Sequence, residues 1–217
     1  MGAIARSAAN NITTSGVFTS SAITNSSVTG ITVLANASDG ITFISSQTAS
    51  ASASLSFTTG INSTYKAYKF VFVNIHPSVD STSLQFNMST DGGSNYNVTK
   101  TTTLFYAFVN ESGADGTLAY ISADDLAQST AFQQIIREIG NDNDQSGSGT
   151  LTLFNPSSTT YVKHFISNTN LSQSDNYQEQ IFCAGYGNTT SAVNAVQFKM
   201  SSGNIDAGTI YLYGIKW

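Results

Sequence analysis

Residues 203–217 read GNIDAGTIYLYGIKW, and the fold is decided by how this stretch is read. After the turn formers Gly203, Asn204, Asp206 and Gly208, Ile210, Leu212 and Gly214 alternate with Tyr211, Tyr213 and Ile215. That period of two belongs to a strand with use for both faces. The expectation is a central strand that ties down the end of the sequence by pairing.

Working outward, four more strand signals precede it: Gly149 to Phe154 (GTLTLF), Thr160 to Ser167 (TYVKHFIS), Gln180 to Tyr186 (QIFCAGY) and Val193 to Met200 (VNAVQFKM). Short polar turns separate them, with no helical stretch between. Further upstream, Tyr68 to Ile75 (YKFVFVNI) reads as an interior strand stopped by His76-Pro77. Leu84, Phe86 and Met88 alternate with polar residues, and Asp91 to Asn95 (DGGSN) is a hairpin or loop signal. Thr101 to Val109 follows as a strand, then a loop through Gly113 and Gly116. Ser122 to Gln128 offers one or two helical turns behind an N-cap-like Ser. Phe132 to Ile139 (FQQIIREI) admits a strand or a short helix, and the β-branched Ile135, Ile136 and Ile139 favour the strand. Ala49 to Phe57 (ASASASLSF) alternates strictly and reads as a strand with a small-residue face. About eight to ten short strands without helices indicate an all-β, antiparallel β-sandwich of jelly-roll-like form over residues 45–217.

Composition agrees. Charged residues are 10% of the 217, against about a quarter in an ordinary domain. Ser, Thr, Asn and Gly take their places, a bias that disfavours helices. A net charge of −5 with eight Lys plus Arg leaves no basic track for a phosphate backbone, so nucleic acid is not an expected partner. No apolar run approaches the ~18 residues of a membrane-spanning helix, and an acidic surface suits no anionic membrane. The opening MGAIARSAANN lacks a signal-peptide apolar core, so the chain is read as made and folded in the cytoplasm. Arg6 stands where a myristoylation motif needs Ser or Thr. The one cysteine, Cys183, is expected in the core, and no intrachain disulfide is possible.

Residues 1–44 differ from the rest. Ile12, Val17, Ile23 and Val28 stand five or six apart among small polar residues, a spacing that fits neither a helix stripe nor a simple strand. Two readings compete, a flexible Ser/Thr-rich arm and an extended segment that hides these residues only against copies of itself or a neighbour; the second is preferred, because disordered tracts carry fewer β-branched apolar residues. Ile12, Val17, Ile23, Val28 and, at the other end, Trp217 are therefore the expected attachment and oligomerisation residues.

Three segments carry a resemblance: YKFVFVNIHPSVD (68–80), STAFQQIIREIGNDNDQSGSGTLTLFNPSSTTYVKHFIS (129–167) and MSSGNIDAGTIYLYGIKW (200–217). From about Gln47 onward the chain resembles β-sandwich structural proteins of marine tailed bacteriophages, those infecting cyanobacteria and Pelagibacter-type hosts. The resemblance implies a virion protein, homotrimeric, assembled in the bacterial host cytoplasm, with no catalytic residues and no cofactor. Its partners would be itself and phage capsid or tail proteins. Capsid decoration or a head fibre stands ahead of a tail fibre, since 217 residues leave little length for a shaft. The alternative is a receptor-binding module whose loop tips, such as Asp91 to Tyr96, recognise host surface glycans.

The local motifs are weak. Asp142, Asp144 and Ser146 with Gly147 match the opening of a calcium loop, but Leu153 stands where the bidentate Glu belongs, so a solvated turn is the better reading. His76 and His164 are too few to define a metal site, and no serine or cysteine nucleophile signature is present. Asp124 with Asp125, Asp142 with Asp144, and Glu111 with Asp115 are the acid pairs a glycosidase would need, and loops are where any β protein keeps its acids.

Overall fold

The computed structural model describes residues 40–216. These residues form twelve strands and one 3-10 turn. In chain order the strands are β1 (Gly40–Thr48), β2 (Leu55–Phe57), β3 (Ala67–Pro77), β4 (Thr82–Ser89), β5 (Lys100–Asn110) and β6 (Gly116–Tyr120), followed after the turn Ser122–Asp124 by β7 (Gln133–Ile139), β8 (Gly147–Phe154), β9 (Lys163–Ser172), β10 (Tyr177–Gly187), β11 (Ala195–Met200) and β12 (Ile205–Lys216). Every pairing is antiparallel. An eight-stranded sheet, ordered β1-β12-β3-β8-β9-β10-β5-β6, packs against a four-stranded sheet, β2-β11-β4-β7. The expected all-β antiparallel sandwich is what forms, with its strands divided eight and four.

The alternation read from sequence is what fills the space between the sheets. Phe70 and Phe72 of β3, Leu151 and Leu153 of β8, Phe165 of β9 and Ile210 and Leu212 of β12 point inward from the large sheet and are all buried. Facing them are Leu84, Phe86 and Met88 of β4 and Val196 and Phe198 of β11. Phe198 is the hub: the rings of Phe57, Phe70, Phe72 and Phe86 lie 6.2, 5.1, 5.2 and 6.4 Å from it, centroid to centroid.

Several expectations need adjusting. The strand β12 pairs on both sides, with β1 and β3, yet sits second from the sheet edge rather than at its centre, and only one of its faces reaches the core. At Gly214 on that face the Tyr65 ring occupies the place a Cβ would take, so glycine here makes room for an aromatic lid. Ala49 to Ser54 is not a strand. It carries the chain from one sheet to the other, hydrogen-bonding Gly208, Asp206 and Ile205 of β12 as it goes, and bends at Ala51, whose φ is +48°. The small side chains suit that close passage, and only Leu55–Phe57 pairs as β2. The stretch through Gly116, read as loop, is the exposed edge strand β6, which buries no residue. β1 begins at Gly40 and so straddles the arm boundary drawn at residue 44. Phe132 to Ile139 holds the strand β7, and Ser122 to Gln128 contributes a single 3-10 turn.

Candidate functional site: an open sheet face and an edge notch

The four-stranded sheet covers one face of the eight-stranded sheet and leaves the other open. Pairing register arranges the open face into rows. One runs from Phe43 through Tyr213, Lys69, Thr152 and Ile166 to Ala184. The next runs from Tyr211 through Val71, Thr150, Asn168 and Phe182 to Phe105, which pairs in turn with Tyr120 of β6. A third brings Gln180, Ala107 and Leu118 side by side. Lys69 carries the only formal charge in these rows.

This face holds most of the exposed apolar surface. Of the ten exposed large hydrophobic residues among those described, eight lie on it: Ile41, Phe43, Val73, Phe105, Val109, Leu118, Tyr120 and Ile166. Ile166 is 55% exposed and Leu118 70%. Phe105 and Phe182 stack across β5 and β10 at 4.9 Å, Phe43 meets Tyr213 edge-on at 5.7 Å, and His164 lies beside Tyr186 at 6.1 Å. A shallow depression of about 540 Å³ opens among Thr101, Thr103, Phe154, His164, Ile166 and Tyr186. A broad face of apolar clusters joined by Thr, Asn and Gln, with Lys69 as the one charge in its rows, marks an interaction surface.

The residues singled out by sequence are scattered by the fold. Asp142 and Asp144 sit in a closed turn, with the Gln145 N–H donating to the Asp142 carbonyl at 2.9 Å and the buried Gln145 side chain tucked inside it. Nε2 of His76 lies 3.2 Å from that same carbonyl, while His164 is far off on the open face. Among the described residues no cluster of three or more His, Cys, Asp or Glu side chains is arranged for a metal. Cys183 is buried, and burial pushes its thiol up to about 12. Asp125 accepts from the Leu104 N–H at 2.9 Å and from the Tyr120 hydroxyl. Asp115 reaches only the Tyr177 hydroxyl at 3.4 Å. Ile12, Val17, Ile23, Val28 and Trp217 lie outside the described residues.

Two features escaped the sequence reading. Lys100 and Lys163 are fully buried without a carboxylate. Lys100 donates to Asn87 Oδ1 at 2.6 Å and the Val98 carbonyl at 2.9 Å, and desolvation lowers it to about 7. Lys163 donates to the carbonyls of Tyr161 and Thr189 at 2.6 and 3.1 Å, and burial lowers it too. The second feature is the cluster around Arg137, whose Nε lies 2.6 Å from Asp124 Oδ2. Glu138 and Glu179 complete it at 3.2 and 4.0 Å. A charged pair inside the otherwise uncharged FQQIIREI was the legible hint.

Compared with known proteins, the chain matches no family model, no curated protein and no solved structure.

Proposed function

We propose that this chain is a non-enzymatic structural protein of a tailed-bacteriophage virion, a homotrimer that decorates the capsid or forms a head fibre and is attached to the particle through residues 1–44. The observation that carries the self-association is the open face of the eight-stranded sheet. Eight strands at about 4.8 Å, paired over about seven residues of about 3.3 Å, give a face on the order of 800 Å². That equals one partner's share, about 800 Å², of a standard stable interface. Elsewhere a chain of net charge −5 repels its own copies, whereas the rows of this face bring only Lys69 as a charge. Turned toward a threefold axis, each face would cover parts of two others and hide the edges at β1 and β6. The phage setting rests on the resemblance of residues 68–80, 129–167 and 200–217.

The glycan-recognition alternative finds less support at the loop named for it. The Asp91 carboxylate is spent inside its own loop, accepting from Ser89 Oγ at 2.6 Å, the Asn95 N–H at 2.9 Å and Asn95 Nδ2 at 2.8 Å. These bonds hold it down at about 2.

Cryo-electron microscopy of particles carrying the protein tests the proposal. Three copies of the 22.9 kDa chain, about 69 kDa, should stand on the capsid with their eight-stranded sheets turned toward the threefold axis. Density at the tail tip with these faces open to solvent would overturn it.

A further inference from the structure

Because β7 is the last strand of the four-stranded sheet, the inner face of the larger sheet continues past it toward β5 and β6. The step leaves a notch of about 210 Å³. One wall is aromatic. Tyr106 and Phe108, two apart on β5, stack at 5.4 Å, and Tyr177 of β10 meets Phe108 edge-on at 5.3 Å.

The other wall is acidic, and its construction is unusual. Successive strand residues normally face opposite ways, yet Arg137 and Glu138 both line the notch. A register shift in the β4–β7 pairing, with Glu138 at φ +43°, turns them to the same side. The Arg137 guanidinium then lies 2.6 Å from Asp124 and 3.2 Å from Glu138, and Glu138 also accepts from Gln173 Nε2 at 2.6 Å. Glu179 is left over. It lines the notch and is 4% exposed, and its Oε2, 4.0 Å from Arg137, is buried without a hydrogen-bond partner. Three carboxylates around one guanidinium leave the notch short of positive charge, and a buried carboxylate oxygen without a donor is costly.

We propose that this notch binds an alkylammonium group, which donates to Glu179 Oε2 while its methylenes lie against Phe108 and Tyr177; the Tyr106 ring is already taken by Phe108 and by the Arg137 guanidinium, 5.3 Å from its centroid. The π faces favour a cation over a neutral group of the same shape. An anion would meet the carboxylates, and a metal would have to draw Asp124 off Arg137. The ammonium would come either from a free diamine or from a lysine side chain of a neighbouring protein.

Calorimetric titration of the full chain with putrescine, with Nα-acetyl-lysine methylamide and with the neutral 1,4-butanediol decides it. Putrescine should bind at least about tenfold more tightly than the diol, and Glu179→Gln should weaken it at least about tenfold. Binding of the lysine amide as well would assign the site to a protein side chain, and binding of putrescine alone would assign it to a free diamine. Equal affinity for amine and diol, undiminished binding to E179Q, or no amine binding at all would overturn the proposal. The amine–diol contrast is read on the unaltered chain and stands even if E179Q folds poorly.

Discussion

Phe198 and Lys100 show how unevenly single residues hold this molecule. Phe198 is touched by four other rings from both sheets, so Phe198→Ala would lose its transfer energy and leave a cavity that no one neighbour can fill. A loss of about 3–5 kcal/mol is expected in denaturant unfolding; a loss under about 1 kcal/mol would show that the aromatic hub is not central. Lys100 acts in the opposite sense. Its folded pKa is lowered to about 7 against about 10.4 when unfolded, so between those values the unfolded chain binds more protons and stability rises with pH. Below about 7 both states are protonated and the slope vanishes. Raising the pH from 7 to 8 should therefore stabilise the protein; nearer 8.5 the Cys183 thiol, ordinary when unfolded and raised to about 12 by burial, begins to oppose the trend. Lys100→Met should flatten that rise; an unchanged slope would mean that Lys100 is solvated as an ordinary amine. Cys183 was legible from its setting in QIFCAGY. The partners of Lys100 and Arg137 were not, because Asn87, Asp124 and Glu179 come to them from other strands and loops, and no periodicity records such meetings.

At the level of elements, the strands that show themselves in sequence are those with one buried face. β3, β8, β9, β10 and β12 place alternate residues in the core, so hydrophobic period and burial largely coincide, whereas β4 buries its polar residues Ser83, Asn87 and Ser89 as well. β6 is invisible for the converse reason, since pairing with β5 holds it and GTLAY buries nothing. Ala49 to Ser54 mimics a strand because small residues alternate there by composition, while the chain is bending between sheets. That bend makes a prediction with an uncommon sign. Ala51 is an exposed non-glycine at φ +48°, a conformation that costs an L-residue about 1–2 kcal/mol. Ala51→Gly should raise stability by up to about 1 kcal/mol in chemical denaturation, where the same change in a helix lowers it. A loss of about 0.5 kcal/mol or more would place the origin of the bend elsewhere than at Ala51. Hydrogen exchange should likewise find β6 amides opening well before those of β9 and β10, which are paired on both sides.

The described residues form a lopsided sandwich, and the asymmetry accounts for both surfaces described above. Eight strands against four leave one broad face with nothing packed on it among the described residues, and a step at the β5 end that becomes the Arg137 notch. Fold class was readable from sequence because it depends only on period and turn chemistry. The unequal division of strands was not, since nothing in a strand's own pattern says which sheet it joins. If the open face is buried by apolar contact, association should be insensitive to salt between about 0.05 and 0.5 M, where surface ion pairs would be screened. Ile166 stands in the middle of that face, half-exposed and away from the core, so Ile166→Glu should spare the fold and disrupt the contact.

Light scattering of the full chain beside its I166E variant therefore tests the account most directly. The account predicts about 69 kDa, three copies of 22.9 kDa, for the natural chain and a single copy for the folded variant. A natural chain that scatters as one copy, or an I166E variant that remains a trimer, would contradict it.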